Sequence, residues 1–221
     1  MLFRSWAGKF ATKIAVSFPE AAPNFPKDRV AHTGNPIRKA VLLPAREGMY
    51  EYFKLNREIP TIYVTGGSQG AQALNEGILA ALPQLLDKYQ IIHQTGTDNL
   101  EEVMGRARVV MGDNPNLERY HPMGYLNDLA TRMAAGASSL VISRAGSTIF
   151  EIASWGVPSI LVPLPNAAED HQTKNAYAYA RAGACAVIEQ QNLTPGLLLS
   201  EVSRILDHEN IKHAMGNAAR N

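Results

Sequence analysis

Residues 61–86 constrain this chain more than any other stretch, because they read as a strand, a glycine turn and a helix in immediate succession. Thr61-Ile62-Tyr63-Val64-Thr65 is short and β-branched, as strands are. Gly66-Gly67-Ser68-Gln69-Gly70-Ala71 follows as a turn. Leu74, Ile78, Leu79, Leu82, Leu85 and Leu86 then recur at the three- and four-residue spacing of a helix face. Two adjacent glycines let the backbone bend sharply and let a ligand approach the main chain. The N–H groups and positive dipole end at the helix start suit an anion, most often a phosphate. A tight turn with no ligand accounts for the same residues equally well when they are taken alone. The rest of the chain must decide.

The remainder alternates in the same way. Tyr89-Gln90-Ile91-Ile92-His93-Gln94-Thr95 is a second strand, and residues 100–106 are a short helix. Residues 108–125 are the least patterned, with Val109-Val110-Met111, a loop around Asn114-Pro115-Asn116, and a short strand ending near Met123-Gly124-Tyr125-Leu126. Asn127 or Asp128 can cap a helix through Leu129, Met133 and Ala137. Ser139-Leu140-Val141-Ile142 is a strand, Arg144-Ala145-Gly146-Ser147 a second glycine turn, and residues 148–155 a helix ended by Gly156. Ser159-Ile160-Leu161-Val162 is a strand closed by Pro163, residues 171–182 a helix followed by Gly183, and residues 184–188 another strand. Thr194-Pro195 has the cap-then-proline order of a helix start, running to Leu206. Continuously apolar strands alternating with helices predict a Rossmann-like α/β fold, a parallel sheet covered by helices on both faces. Ligands of such sheets bind in the loops after the strand carboxyl ends. Four loops qualify here: 66–70, 124–127, 144–147 and 163–172.

The first 40 residues do not start a domain of their own. Residues 10–18 offer one strand without a partner, and Pro19, Pro23 and Pro26 speak against regular structure after it. Thr33-Gly34-Asn35-Pro36-Ile37-Arg38 is a turn, and residues 40–60 are a polar, helical stretch ending at Pro60. Two readings stand for residues 1–40: the tail of a preceding domain, or a disordered leader. Residues 41–221 form the main domain.

Composition excludes several classes. The formal charge is +1 over 221 residues with no Lys/Arg block, which gives no reason to expect nucleic acid. The one cysteine, Cys185, sits in an apolar run and reads as a small core residue. No run approaches the roughly 18 apolar residues of a membrane span. Arg4, Lys9 and Lys13 break up any signal-peptide core.

Two nucleotide classes can be tested against the glycine turns. A P-loop needs Gly-Lys-Ser/Thr, and Gly70 is followed by Ala71-Gln72. A dinucleotide site wants an acid at the end of the second strand, about 20 residues past the glycines, yet that strand ends His93-Gln94-Thr95 and no acid follows it before Asp98. The second turn brings its own carboxylate, Glu151, one turn into the following helix. There it is favoured by the helix dipole and can accept hydrogen bonds from vicinal ribose hydroxyls. Asn166, Glu169, Asp170, His171 and Gln172 suit sugar hydroxyls, or simply make a solvated loop. The residues alone therefore point to a phosphorylated or nucleotide-linked ligand.

Taken in order, four segments resemble the MurG family. They are Gly66-Gly67-Ser68-Gln69-Gly70-Ala71 with Leu74-Asn75; His93-Gln94-Thr95-Gly96; Ser143-Arg144-Ala145-Gly146-Ser147-Thr148 with Glu151; and His171-Gln172 with Asn175-Ala176. Ala11-Thr12-Lys13 and Gly34-Asn35-Pro36-Ile37-Arg38 resemble it as well. These enzymes transfer N-acetylglucosamine from UDP-N-acetylglucosamine to the undecaprenyl-linked muramyl-pentapeptide precursor of peptidoglycan. The resemblance implies the C-terminal, donor-binding domain of a GT-B fold with most of the N-terminal acceptor domain missing, residues 1–40 being its tail. It implies that Arg38 and Ser68 meet the diphosphate and that the main chain at Leu126 meets the uracil. It implies that Ser147, Thr148 and Glu151 hold phosphate and ribose, and that Gln172 holds the sugar.

No cofactor or metal is implied, and no catalytic base is assigned. The base is expected in the missing domain, together with peripheral contact to the cytoplasmic face of the bacterial inner membrane. His93 and His171 read as structural or surface residues. The turn from Arg144 to Glu151 is one residue shorter than the common form of the motif. The alternatives are another UDP-sugar GT-B enzyme, such as an epimerase or a glycolipid glycosyltransferase, or a nucleotide-sugar-binding module without catalysis.

Overall fold

The computed structural model describes residues 8, 10–17, 19–67, 71–165 and 170–220. They divide into two compact units, Met1–Arg38 and Lys39–Asn221.

In the first unit, β1 (Ile14–Val16) pairs in parallel with β2 (Val30–His32), joined by a 3-10 helix over Pro19–Asn24. The strand expected to be unpaired therefore has a partner, built from the β-branched Ile14, Val16 and Val30. The prolines do not exclude regular structure either. Their fixed φ matches a 3-10 turn, and Pro23 lies inside it.

The second unit begins with a 3-10 turn at Lys39–Val41 and one short helix, α1 (Met49–Phe53). The helical stretch expected over residues 40–60 is thus a single turn and a half. It is bracketed by Gly48 and Lys54, both left-handed at φ 70 and 57. Then β3 (Thr61–Thr65), α2 (Gln72–Lys88), β4 (Gln90–Gln94), α3 (Leu100–Met111) and β5 (Tyr120–Met123) succeed one another. They are followed by α4 (Asp128–Ala137), β6 (Ser138–Ser143), α5 (Thr148–Trp155), β7 (Ser159–Leu161), α6 (His171–Arg181) and β8 (Cys185–Val187). The helices α7 (Pro195–Leu206) and α8 (Glu209–Arg220) close the chain.

The six strands form one parallel sheet in the order β5-β4-β3-β6-β7-β8. Every residue of β3 and β4 is buried, so neither strand alternates apolar with polar residues, and the buried Gln90, His93 and Gln94 of β4 are hydrogen-bonded. Ile62, Val64, Ile91, Leu140, Ile142 and Ile160 share a core with Leu74, Ile78, Leu82 and Leu85 of α2, Val103 of α3, and Leu198 and Val202 of α7. The opposite face carries α4 and α5, with Tyr63 beside Trp155 at 6.3 Å between ring centroids. The fold is therefore the Rossmann-like, doubly wound sheet that the sequence predicted.

Helix α3 outruns its expected end at residue 106. Val103, Ala107 and Met111 recur every four residues on the buried side, whereas Val109 and Val110 face solvent. The apolar run Val109-Val110-Met111 is the end of this helix. Helix α8 was not anticipated, because it buries little beyond Met215 and Ala219. Cys185 is buried, and its thiol is pushed up to about 12 by desolvation.

Candidate functional site

The chain runs outward from β3 through β4 to β5, then returns to place β6 on the other side of β3. That reversal leaves a crevice beyond the carboxyl ends of β3 and β6, where doubly wound sheets bind ligands. Thr65 is in register with Ser143, so the two glycine turns leave the sheet side by side.

Gly67 sits at φ 92, a value that glycine tolerates and other residues resist. Its N–H donates to Thr65 Oγ1 at 3.2 Å, and its carbonyl accepts from Gln94 Nε2 at 3.3 Å. Gln94 Oε1 accepts from the Tyr63 hydroxyl at 3.2 Å, so β4 braces the first turn from beside it. Ser68 lies outside the described residues. Ala71 precedes α2 without a side-chain cap, leaving that helix start uncapped by its own residues.

Beneath this turn runs a buried polar chain. Asn75 Nδ2 donates to the Thr95 carbonyl at 3.0 Å, which orients Asn75 Oδ1 towards His93 Nε2, also at 3.0 Å. A carbonyl oxygen can only accept, so Nε2 carries the proton and Nδ1 accepts from the Tyr120 hydroxyl at 2.7 Å. Burial lowers the His93 pKa to about 3 and fixes the neutral ring. His93 has no solvent access and ties α2 to β4 and β5.

The second turn is held from two sides. Arg144, only 8% exposed, donates to the carbonyls of Val162 at 3.0 Å and Pro163 at 3.4 Å, and to Gln190 Oε1 at 2.7 Å. Asn175 Nδ2 donates to the Ala145 carbonyl at 3.2 Å. A Cβ added at Gly146 would meet nothing within 4 Å, so the turn opens to free space. Ser147 is exposed, Thr148 begins α5, and Glu151 lies in the first turn of that helix. Ser147 makes no capping bond of its own, which leaves the helix start open to an acceptor from outside.

The other expected residues fall as follows. Leu126 is a core side chain whose carbonyl accepts from Thr131 Oγ1 at 3.3 Å, so only its main chain could serve a ligand. Asn127, not Asp128, caps α4, with Oδ1 accepting from Ala130 N at 2.9 Å. Gln172 Oε1 accepts from Leu164 N at 3.0 Å, which commits its oxygen and leaves its amide nitrogen as a donor. Arg38 is the last residue of the first unit. The structure thus gathers Leu126, Ser147, Thr148, Glu151 and Gln172 at the carboxyl edge of one sheet. Sequence reasoning gave no role to the residues that brace this edge. Arg144, Asn75 and Asn175 stood only as letters of motifs, since side-chain to main-chain bonds leave no periodic signature.

A family model, the glycosyltransferase family 28 C-terminal domain, matches residues 61–221. The chain belongs to this family. Among its relatives is a UDP-N-acetylglucosamine–N-acetylmuramyl-(pentapeptide) pyrophosphoryl-undecaprenol N-acetylglucosamine transferase of Syntrophotalea carbinolica. It is 37% identical over 218 residues, covering 96% of this chain and 56% of the relative. A transferase of the same name from Acetivibrio thermocellus is 34% identical, covering 96% of this chain and 57% of the relative. The chain spans about half the length of the curated relatives it matches. The crystal structure of MurG from Acinetobacter baumannii superposes with a TM-score of 0.70 at 28% identity, covering 98% of this chain and 58% of the other. A UDP-GlcNAc 2-epimerase from Neisseria meningitidis reaches the same TM-score at 15% identity, covering 97% of this chain and 58% of the other, and shows the shared fold alone. The family 28 domain here is the C-terminal half of a GT-B fold. Among the described residues, the carboxyl ends of β3 and β6 carry main-chain turns, hydroxyls, amides and the Glu151 carboxylate.

Proposed function

We propose that this chain carries the donor site of an inverting transferase that moves N-acetylglucosamine from UDP-N-acetylglucosamine to an undecaprenyl-linked muramyl-pentapeptide. The observation that carries the reading is 37% identity, sustained over 96% of the chain, to a transferase of that name. The crevice agrees with it chemically. Two adjacent helix starts offer N–H groups to a diphosphate, and Glu151 can accept from ribose hydroxyls. Gln172 retains a donor for the sugar. Ser68 completes the diphosphate contacts, and the Leu126 main chain meets the uracil.

In the reaction the acceptor hydroxyl attacks the anomeric carbon as the bond to the UDP oxygen breaks. UDP leaves with the bonding electrons, and the hydroxyl proton passes to a base. Charge developing on the diphosphate is stabilised by the helix starts, whose dipoles are already oriented before the bond breaks. The buried, neutral and doubly bonded His93 is unsuited to be that base. We assign the base and the peripheral contact with the inner face of the membrane to the part of the relatives that this chain does not cover. Among the described residues no helix is long and apolar enough to cross a membrane.

Titration calorimetry of the chain with UDP-N-acetylglucosamine, UDP-glucose, UDP and ADP tests the donor reading. UDP-N-acetylglucosamine is expected to bind tightest, and equal affinity for UDP and ADP would refute it. Transfer to a lipid-linked acceptor is expected only when the acceptor domain is supplied.

A further inference from the structure

Arg144 is a buried cation with no counter-charge among the described residues. Its guanidinium is satisfied only by neutral oxygens, those of Val162, Pro163 and Gln190, and none of the ion pairs among the described residues involves it. A buried charge is costly unless an opposite charge balances it. Burial lowers the Arg144 pKa, yet an arginine side chain does not shed its proton in a protein, so the charge stays. The bonds to Val162, Pro163 and Gln190 also span the carboxyl ends of β7 and β8, so one side chain links three loops of the crevice. The preceding residue adds a second sign of unused polar capacity. The Ser143 hydroxyl is fully buried and has no hydrogen-bond partner among the described residues.

We infer that Arg144 is a positioning residue whose uncompensated charge makes this edge of the sheet selective for a diphosphate over a neutral nucleoside. The inference rests on the donor-site reading for the nucleotide's identity, but not for its charge. The guanidinium holds the 144–147 turn against β7 and β8, and its charge lies behind that turn. An anion at the open side of Gly146 and the α5 start balances it. The geometry requires no direct contact between Arg144 and the ligand. The charge acts through a low-dielectric wall, where it is screened far less than a surface lysine would be.

The test uses the full chain with Arg144→Gln and Arg144→Lys, titrated with inorganic pyrophosphate, uridine, UDP and ADP, each variant checked by thermal melting. Arg144→Gln is expected to weaken pyrophosphate and UDP by about tenfold or more while changing uridine by less than about threefold. Arg144→Lys keeps the charge without the planar fork and is expected to recover most of the pyrophosphate affinity. Equal losses for uridine and pyrophosphate would reduce Arg144 to a loop brace and overturn the inference. So would an unchanged pyrophosphate affinity in Arg144→Gln, or a wild-type chain that binds no pyrophosphate. Should Arg144→Gln fail to fold, the ratio of pyrophosphate to uridine affinity in Arg144→Lys against Arg144→Met decides the same point. Pyrophosphate binding that depends on Arg144, together with equal affinity for UDP and ADP, would leave this inference standing and remove the uridine reading instead.

Discussion

Glu151 and His93 show how differently two polar residues can serve one edge of a sheet. Glu151 stands in the first turn of α5, where a helix dipole favours an acidic side chain. Removing it in Glu151→Ala is expected to weaken UDP by about 1–3 kcal/mol, the range for a charge-assisted hydrogen bond. Calorimetry showing unchanged affinity would take Glu151 out of the site. His93 is sealed in, and its effect is on stability. Burial lowers its pKa from 6.5 to about 3, so the folded state binds fewer protons than the unfolded chain between those values. Stability is therefore full above about pH 6.5 and falls as the pH drops towards 3, with a slope approaching about 1.4 kcal/mol per pH unit. Urea midpoints at pH 7, 6 and 5 should show this slope in the wild type and lose much of it in His93→Gln. His121, also lowered by burial and by Lys54, contributes equally to both proteins and cancels in the difference. Parallel pH dependences in the two proteins would contradict the neutral, buried ring.

The elements were legible in the sequence where one residue type does one physical job. Gly156 at φ 65 ends α5, Asn127 caps α4, and Thr194 Oγ1 accepts from Leu197 N at 3.3 Å to start α7, each as its residue type predicts. Helix α8 escaped notice because so few of its apolar residues are buried, and α1 is short because left-handed Gly48 and Lys54 flank it. The segment over residues 41–45 also left no pattern, since its contacts are main-chain to side-chain. Trp155 Nε1 donates to the Val41 carbonyl at 2.8 Å, and Arg132 Nε to the Leu43 carbonyl at 2.7 Å. Gly136 of α4 is the close-approach point, because a Cβ there would collide with the Ala45 carbonyl oxygen. Gly136→Ala is expected to cost about 1–3 kcal/mol despite alanine's better helix propensity. Gly105, exposed in α3 with nothing within 4 Å of an added Cβ, is the matched control. Gly105→Ala should stabilise by roughly 0.5–1 kcal/mol. Denaturation midpoints moving the same way in both variants would show that propensity, not the Ala45 contact, governs position 136. The glycine turns at the strand ends and the place of Glu151 in the first turn of α5 could be read from residue type. The bracing by Arg144, Gln94 and Asn175 could not, because it depends on which strands become neighbours.

At the scale of the whole molecule, the strand order sets where stability is concentrated. β3 lies between β4 and β6, is buried along its whole length, and contributes Ile62 and Val64 to the main core. Opening its amides requires separating α2 and α7 from one face and α4 and α5 from the other, which amounts to global unfolding. The first unit has a different economy, with two three-residue strands and largely exposed side chains, and an isolated ladder of that size is marginal in water. Hydrogen exchange on the full chain should therefore resolve two classes. Amides of residues 62–64, 91–93 and 140–142 should exchange only through the global transition, expected at about 5–15 kcal/mol for a domain of this kind. Amides of residues 14–16 and 30–32 should exchange earlier, through local opening, and should respond less to urea because less surface is exposed when they open. A ligand in the crevice between β3 and β6 adds a further check. Saturating UDP should slow the first class by the full binding free energy and leave the second class unchanged, because binding to the native state raises only the cost of openings that destroy the site. Equal slowing of both classes would mean that the two units unfold as one cooperative body.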